Sequence, residues 1–318
     1  MVRAKIISTG GYLPAKRVTN DDLSKIVDTS DEWIYERTGI RARHMAEGQE
    51  TTSYMATQAA KQAIERAGLT PNDIDLIIVG TATPDSSFPG VSTQVQGALG
   101  MTRGAGFDLQ AACSGFVYGL KLADTLIRSG SEKTILVIGA ERFTHMVDWT
   151  DRSTCVLFGD GAGAVILQAS EGDSGILDTA IYSDGSKNDL LYASGGIATT
   201  KTVGTVVMHG REVFKHATRA MAQIVDDLLS RNNLARTDVT WLVPHQANKR
   251  IIDATAKMLE LPADKVVLTV QEHANTSAAS IPLALNFAAE KGTFKAGDLL
   301  LFEAFGAGFT WGGALVRW

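Results

Sequence analysis

The sequence repeats one pattern at a distance of about 165 residues. Residues 55–80, MATQAAKQAIERAGLTPNDIDLIIVG, read as an amphipathic helix, a glycine stop, a polar turn and a short apolar run. Residues 221–245, MAQIVDDLLSRNNLARTDVTWLVPH, follow the same order. A period this long is typical of two similar folding units, whereas solenoid repeats have periods of roughly 20–50 residues. We therefore predict two similar halves, residues 1–170 and 171–318.

The apolar runs of the two halves predict buried strands. A shift of 164 residues superimposes TILVIG (134–139) on DLLLFE (298–303), and the same shift sets Cys113 opposite Ser277. Strands that read as unbroken apolar runs are covered on both faces, and their alternation with helices favours parallel or mixed sheets. The predicted fold class is α/β, with mixed sheets surrounded by helices.

Charge and cysteine usage exclude several classes of protein. The net charge is −5, so no general attraction to nucleic acid is expected. The N-terminal stretch lacks the apolar core of a signal peptide, and no run approaches 18 apolar residues, so we expect no membrane span. Two cysteines in 318 residues form no disulfide framework, and we expect a cytoplasmic protein.

Cys113 follows a predicted buried strand and precedes small residues that begin a predicted helix at 114–125. A buried, inert cysteine is the commoner interpretation of such a residue. A helix N-terminus, however, is expected to lower the pKa of a thiol and so to favour the nucleophilic thiolate. Cysteine at this position is therefore a candidate nucleophile for acyl transfer, and a neighbouring histidine would serve as its base or ion-pair partner.

Two histidines follow apolar runs, and both are candidates for that partner. His245 ends the run VTWLVP, and His273 follows KVVLTVQE and precedes Asn275. A buried histidine held by hydrogen bonds and an asparagine in a turn are the structural alternatives. The amide of Asn275 also suits an oxyanion or enolate, because it carries two donors. If these residues follow strand ends, they meet Cys113 at the edge where α/β proteins form their sites.

Glycines crowd the C-terminal stretch EAFGAGFTWGGALVRW, residues 303–318. Glycine lets backbone N–H groups face a ligand without obstruction, although a hairpin with a glycine turn explains the same pattern. Residues 158–167, FGDGAGAVIL, are a similar glycine-rich segment that leads into a predicted strand in the first half. This similarity supports a shared fold.

Six stretches together resemble the β-ketoacyl-acyl-carrier-protein synthase III family of the thiolase superfamily, and the resemblance runs along essentially the whole chain. They are TSDEWIYERTGIRARH (29–44), QAACSGF (110–116), DRSTCVLFGDGAGA (151–164), VPHQAN (243–248), HANTSAAS (273–280) and EAFGAGFTWGGALVRW (303–318). The resemblance implies a thiolase-like fold with α-β-α-β-α layers, and a homodimer.

The resemblance also assigns roles to residues. Cys113 would accept the acyl group, and His245 and Asn275 would stabilise the enolate formed from a malonyl thioester. The backbone N–H groups of Cys113 and Gly306 would form the oxyanion hole. The coenzyme A path would comprise Thr29, Trp33, Arg37, Arg152, Phe214 and Asn248, with Trp33 and Arg152 flanking the adenine, and the acyl pocket or decarboxylation site would be bordered by Phe88 and Phe305. Ala307 departs from the glycine common in the family, which would narrow the site.

The implied reaction joins an acyl-CoA primer, with acetyl-CoA expected, to malonyl-acyl carrier protein, giving 3-oxoacyl-acyl carrier protein, CoA and CO2. Loss of CO2 generates the carbanion, so no metal and no cofactor other than the CoA thioester are expected. The acidic carrier needs a basic surface on a protein whose own net charge is negative. Basic residues at helical spacing on two predicted helices offer one: Arg211, Lys215, Arg219, Arg250 and Lys257.

Other functions stay open at this stage. A related condensing enzyme or acyltransferase of secondary metabolism would use a different primer, but the simple acyltransferases tend to lack the asparagine. Chalcone-synthase-like enzymes share the three residues on longer chains. A non-enzymatic scaffold would be expected to have lost one of the three.

Overall fold

The computed structural model describes residues 2–318. Thirteen strands lie in these residues: β1 (Val2–Tyr12), β2 (Arg17–Thr19), β3 (Ala42–His44), β4 (Leu76–Gly80), β5 (Ala105–Leu109), β6 (Thr134–Arg142), β7 (Asp160–Glu171), β8 (Gly175–Ser183), β9 (Leu191–Ala193), β10 (Val206–Met208), β11 (Trp241–Pro244), β12 (Leu299–Gly306) and β13 (Thr310–Arg317). Nine α-helices accompany them: α1 (Asn20–Leu23), α2 (Asp31–Thr38), α3 (Thr52–Ala67), α4 (Val91–Ala98), α5 (Gly115–Ser129), α6 (Gly210–Arg231), α7 (Lys249–Met258), α8 (Val270–His273) and α9 (Ser280–Glu290).

Two mixed sheets with equivalent topology form the frame. The first has five strands in the order β1-β7-β6-β4-β5, and the second has four in the order β11-β12-β13-β8. The first sheet has two parallel pairs (β5 with β4 and β4 with β6) and the second has one (β11 with β12), and in each sheet two antiparallel pairs follow. The core strands are buried along almost their whole length, as the unbroken apolar runs predict.

Helices form three layers around the two sheets. Helices α5 and α9 lie between the sheets, α3 and α4 cover the outside of the first sheet, and α6 and α7 cover the outside of the second. The central apolar cluster includes Val117 of α5, Val137 of β6 and Phe302 of β12, so both halves contribute to one core. This α-β-α-β-α arrangement confirms the predicted fold class.

Equivalent elements of the two halves are separated by a constant number of residues where the halves match most closely. The turns Ala112–Ser114 and Ser277–Ala279, and the starts of α5 and α9, are each separated by 165 residues. Strand pairs β4 with β11 and β6 with β12 start at the same separation. The predicted shift of 164 is therefore wrong by one residue for these elements. Ser277 corresponds to Ala112, and both have left-handed backbones, with φ of 50° and 45°.

Local signals explain where several elements end. Helix α3 stops at Gly68, whose φ of 66° gives the left-handed cap that glycine favours, and this predicted stop is confirmed. The strand expected before Asn275 is instead a single parallel bridge between Leu242 and Val266, followed by the short helix α8. Within residues 2–318, no helix has both the length and the apolar character needed to cross a bilayer.

Candidate active site

Cys113, His245 and Asn275 line one cavity of about 500 Å³. Cys113 lies in the turn between β5 and α5, His245 follows the last residue of β11, and Asn275 follows α8. The cavity lies between two apolar clusters, one containing Phe305 and Met221 and the other Phe143 and Phe158. The structure thus brings the three predicted residues together, two of them just past the carboxyl ends of β5 and β11 and the third just past α8.

The turn that carries Cys113 packs against the β12–β13 hairpin. A Cβ atom on Gly306 would lie 2.7 Å from the backbone nitrogen of Cys113, so only glycine allows this approach. The Ser114 hydroxyl donates to the Thr310 carbonyl at 3.0 Å, and the Thr310 hydroxyl donates to the Ala111 carbonyl at 2.8 Å. The glycine-rich C-terminal stretch is therefore a hairpin that also holds the cysteine turn in place.

The expected lowering of the Cys113 pKa is wrong for this structure. Burial raises the pKa of the thiol to about 12, and the nearby Glu141 charge adds to the shift, while the adjacent Ser277 hydroxyl opposes it. Desolvation of the thiolate outweighs whatever the start of α5 contributes. The resting side chain is consequently a neutral thiol whose proton must be removed during acylation.

His245 is held by Ser280 at the start of α9. Its Nδ1 lies 2.6 Å from the Ser280 hydroxyl oxygen, which also accepts from the Gln246 backbone N–H at 3.3 Å. We assign the Ser280 proton to this contact with Nδ1, which leaves the imidazole proton on Nε2. Burial lowers the pKa of His245 to about 3, so the ring is neutral at physiological pH.

Asn275 is oriented by the turn that follows it. The backbone N–H of Ser277 donates to Asn275 Oδ1 at 2.8 Å, so the amide oxygen is occupied. Within residues 2–318 the amide nitrogen donates no hydrogen bond, and its N–H groups are available to a ligand in the cavity. The backbone of Asn275 bridges to the first half through the Leu157 carbonyl.

His273, the other candidate histidine, does not line the cavity. Its ring packs edge-on against His44 and Phe287, and its Nδ1 is buried without a hydrogen-bond partner. Burial lowers its pKa to about 4. Of the two, the structure places only His245 beside Cys113 and Asn275.

An outer cavity of about 480 Å³ adjoins the inner one. The predicted coenzyme A residues Trp33, Arg37, Phe214 and Asn248 line it. The two cavities share Leu157, Met208, Gly210, Phe214 and Asn248, so they form one passage from the surface to Cys113.

The predicted coenzyme A residues Arg152 and Thr29 do not line the outer cavity. The guanidinium groups of Arg37 and Arg152 lie 4.5 and 5.1 Å from the centre of the Trp33 ring. Thr29 lies just before α2, and its hydroxyl is buried without a partner.

The structure separates the two predicted acyl-pocket residues. Phe305 lines the inner cavity, as does Ala307, the departure from the family pattern. Phe88 is 84% exposed and does not line the cavity of its own chain, so in a single chain its predicted position at the acyl pocket is not met.

The predicted basic surface divides into two parts. Arg211, Lys215 and Arg219 are exposed on one face of α6, as their spacing predicts, and Lys257 is exposed on α7. Arg211 also lines the outer cavity, together with Arg250, whose guanidinium lies 5.5 Å from the centre of the Phe214 ring.

Sequence reasoning missed Glu141, Ser277 and Ser280 as parts of the site. Glu141 is fully buried near Cys113, and Ser280 contacts His245. The only available signal for Glu141 was a carboxylate at the end of the apolar run TILVIGAE, since such a group must find partners. Within the described residues, no group of three His, Cys, Asp or Glu side chains is placed to hold a metal ion.

The layered fold and this cavity define an acyl-transferring condensing enzyme of the thiolase class. Family profiles described as 3-oxoacyl-[acyl-carrier-protein] synthase III match residues 107–185 and, for the C-terminal part, 229–318. The chain belongs to the 3-oxoacyl-[acyl-carrier-protein] synthase III family, also named β-ketoacyl-[acyl-carrier-protein] synthase III.

Known relatives match the whole chain. It is 57% identical over 321 residues to the β-ketoacyl-[acyl-carrier-protein] synthase III of Rhodospirillum centenum, covering 100% of this chain and 99% of the relative. It is 58% identical over 322 residues to the protein of the same name from Paramagnetospirillum magneticum, with the same coverage. The crystal structure of 3-oxoacyl-[acyl-carrier-protein] synthase III from Aquifex aeolicus superposes with a TM-score of 0.95 at 50% identity, covering 99% of this chain and 100% of that one.

Proposed function

We propose that this enzyme condenses an acyl-CoA primer with malonyl-acyl carrier protein, giving 3-oxoacyl-acyl carrier protein, CoA and CO2, and so initiates fatty acid synthesis. The observation that carries the proposal is the joint placement of Cys113, His245 and Asn275 on one cavity, reached through a passage lined by Trp33 and Arg37. The family membership supports the same reaction class.

Acylation of Cys113 is the first half-reaction. Coenzyme A enters with its adenine beside Trp33 and Arg152, and its pantetheine arm follows the passage past Phe214 and Asn248 to the thiol. Attack by the sulfur forms a tetrahedral oxyanion, which the backbone N–H groups of Cys113 and Gly306 stabilise. The close contact between the Gly306 and Cys113 backbones supports this pairing.

Decarboxylation and condensation form the second half-reaction. The Nε2–H of His245 and the amide N–H of Asn275 donate to the thioester oxygen of the malonyl group as CO2 leaves and an enolate develops. Neutral donors suit this task, because they stabilise the developing charge without first requiring proton transfer. The carbanion comes from the substrate's own decarboxylation, so the proposal includes no cofactor or metal.

Acetyl-CoA is our proposed primer. The stacked rings of Phe143 and Phe158, with centroids 4.4 Å apart, line the inner cavity and are absent from the lining of the outer one. Two aromatic rings on this wall leave less room for a long acyl chain. A condensing enzyme or acyltransferase of secondary metabolism that uses a different primer remains the competing assignment.

The carrier and a second copy of the chain are the proposed partners, and we propose that they meet in the cytoplasm, since both cysteines are free thiols. The exposed face of α6 offers positive charge to the acidic carrier.

Strand β5 is an open sheet edge that carries Phe107, which is 40% exposed, and Phe88 is exposed as well. Pairing of two β5 edges would cover these rings and bring Phe88 to the pocket of the second copy.

The proposal is tested by acylation with a panel of acyl-CoAs of increasing length, reading the mass added to the peptide that contains Cys113. We expect an acetyl adduct on this peptide, and 3-oxoacyl carrier on addition of malonyl-acyl carrier protein. An adduct with no CO2 release and no condensation product would favour the simple acyltransferase. Sedimentation of the same protein tests the homodimer.

A further inference from the structure

Glu141 is a buried carboxyl whose bonded partners are all neutral. Thr83 donates to it at 2.6 Å, the Ala82 backbone N–H at 3.1 Å and the Ser277 hydroxyl at 3.0 Å. Its charged neighbours are engaged elsewhere, since Arg142 donates to the Ala46 carbonyl and Asp160 accepts from Thr144. A buried carboxyl without a cation can take up a proton readily.

Ser277 lies between this carboxyl and the nucleophile. Its turn packs against the Cys113 turn, and its hydroxyl is close enough to lower the pKa of the Cys113 thiol, against the larger effect of burial. Both Ser277 and Glu141 are fully buried and neither lines the cavity, so the path from sulfur to carboxyl runs behind the cavity wall.

The alternative base, His245, is poorly placed to take the thiol proton. Its Nδ1 is occupied by Ser280, and its Nε2 carries the proton that the proposed enolate contact needs. Burial holds its pKa near 3, which makes the neutral ring a weak base. The neutral thiol of Cys113 therefore needs another acceptor.

We propose that Cys113, Ser277 and Glu141 form a proton relay that activates the nucleophile. This relay rests on the proposed role of Cys113 in acyl transfer. As the sulfur bonds to the thioester carbon, the thiol proton passes to the Ser277 oxygen and the Ser277 proton passes to the Glu141 carboxylate. The bond from that carbon to the CoA sulfur breaks, and CoA leaves as a thiolate that takes a proton from solvent.

The relay runs in reverse in the second half-reaction. The carbanion forms a bond to the acyl carbon, and the bond from that carbon to Cys113 breaks, which releases a thiolate. Glu141 returns its proton through Ser277 to this sulfur, so thiol and carboxylate are both restored. The same water-excluded path thus serves both steps without net consumption of a proton by the protein.

Two variants and one matched control test the relay. Glu141→Gln removes the proton acceptor while keeping the side-chain shape, and Ser277→Ala removes the link. Alanine is tolerated at this backbone conformation, because Ala112 adopts it at the equivalent position of the first half. Thr81→Val is the control, since it deletes a 3.3 Å hydrogen bond to the same carboxylate that lies outside the relay.

Single-turnover acylation by acetyl-CoA is the first measurement. General-base assistance typically contributes about 10²–10⁴-fold, so we expect both relay variants to acylate at least about 10²-fold more slowly, with Thr81→Val within about twofold of the wild type. Wild-type rates in Ser277→Ala would overturn the relay, even if Glu141→Gln failed to fold.

The second measurement is the rate at which iodoacetamide alkylates Cys113 between pH 6 and 9. Peptide masses distinguish the Cys113 adduct from the Cys155 adduct. With the relay, the wild-type rate rises as Glu141 ionises and then levels off, because proton transfer to Glu141 does not depend on solvent pH. In Glu141→Gln, the alkylation rate of Cys113 should instead rise about tenfold per pH unit over the whole range. If Glu141 acts only as a nearby negative charge, its replacement favours the thiolate, and faster alkylation at every pH would overturn the proposal. Alkylation needs no acyl-CoA, so failure of wild-type acylation would count against the proposed function alone.

Discussion

Burial sets the charge of the groups around the inner cavity. Cys113 and His245 are both buried and both neutral, with pKa values near 12 and 3. A site built this way uses hydrogen-bond donors and proton transfer in place of a standing ion pair between cysteine and histidine. The donors need no reorganisation when the enolate charge develops, which is the usual advantage of a preorganised site.

Phe143 is expected to limit primer length. Phe143→Leu opens the wall beside Phe158, and the ratio of kcat/KM for hexanoyl-CoA to that for acetyl-CoA should rise at least about tenfold, since a methylene is worth roughly 10–200-fold in an apolar pocket. Phe287→Leu is the matched control, because Phe287 packs against His273 outside the cavity. An unchanged ratio in Phe143→Leu would place the acyl chain elsewhere.

Gly306 is expected to tolerate no side chain. The added Cβ of Gly306→Ala would lie 2.7 Å from the Cys113 nitrogen and 3.1 Å from its Cβ, so the nucleophile must shift. Displacements near 1 Å typically cost about 10²-fold in rate, and we expect that loss in single-turnover acylation. Gly97→Ala, where the added carbon meets nothing within 4 Å, should acylate normally. Normal acylation in Gly306→Ala would contradict the close packing.

At the residue scale, the sequence predicted the cavity residues that follow strand ends, but it did not predict their environment. Cys113, His245 and Asn275 each end a recognisable pattern. The groups that surround them are distant in sequence: the Glu141–Ser277 contact joins the two halves across 136 residues, and the His245–Ser280 contact spans 35 residues within the second half. Single-sequence patterns carry no information on such distant pairs.

At the scale of elements, α6 serves both cavities and the surface. Its inner face supplies Ala217 and Met221 to the inner cavity, while Lys215 and Arg219 face outward. Arg211 belongs to the outer cavity as well, so it cannot separate binding of the carrier from binding of CoA. The pair Lys215 and Arg219 therefore gives the cleaner test of carrier docking.

Lys215→Glu/Arg219→Glu should raise the KM for malonyl-acyl carrier protein by roughly 5–10-fold, because exposed charge pairs are worth up to about 1 kcal/mol each. Acylation by acetyl-CoA should be unaffected, and salt should weaken carrier binding by the wild type, since exposed charges are screened over about 8 Å. Lys61→Glu/Lys295→Glu carries the same change in net charge at exposed positions away from α6. Equal KM values for the two double variants would exclude this face.

Elements with strong periodic signals were predictable, and those shaped by packing were not. Helix α3 and strand β4 have an amphipathic pattern, a glycine stop and a buried apolar run. The run before Asn275 looked like a strand but pairs through one bridge only, because the chain turns into α8 at Val270. The one-residue error in the repeat arose because apolar runs match almost equally well when shifted by a residue.

At the scale of the whole molecule, the two halves share one core. We propose a boundary between residues 170 and 171, next to the turn between β7 and β8, and cooperative unfolding of both halves as one unit. The central cluster supports this proposal, because α5 and α9 pack between the two sheets.

Glu303 is expected to make the free energy of unfolding depend on pH between about 4.5 and 8. Both of its carboxyl oxygens are buried without a close hydrogen bond, and burial raises its pKa to about 8, although the nearby Thr255 hydroxyl opposes the shift. A carboxyl with a raised folded pKa stabilises below its unfolded pKa near 4.5, and that stability is lost as pH rises through about 8. The free energy of unfolding of the wild type should fall by about 1 kcal/mol per pH unit between pH 4.5 and 8 relative to Glu303→Gln, and level off above pH 8, where the carboxyl is ionised in both states. If the free energy of unfolding in urea changed equally between pH 6 and pH 9 in the wild type and in Glu303→Gln, this prediction would be contradicted.

The central claim is that one cavity carries two half-reactions with separable groups. CO2 release from labelled malonyl-acyl carrier protein by the acetylated Asn275→Ala enzyme tests it most directly. We predict that this variant forms the acetyl-enzyme at a normal rate, because acylation uses the thiol and its proton acceptor. It should release CO2 about 10²–10³-fold more slowly than the wild type, the usual cost of losing one oxyanion donor. Near-normal CO2 release from Asn275→Ala would contradict the account.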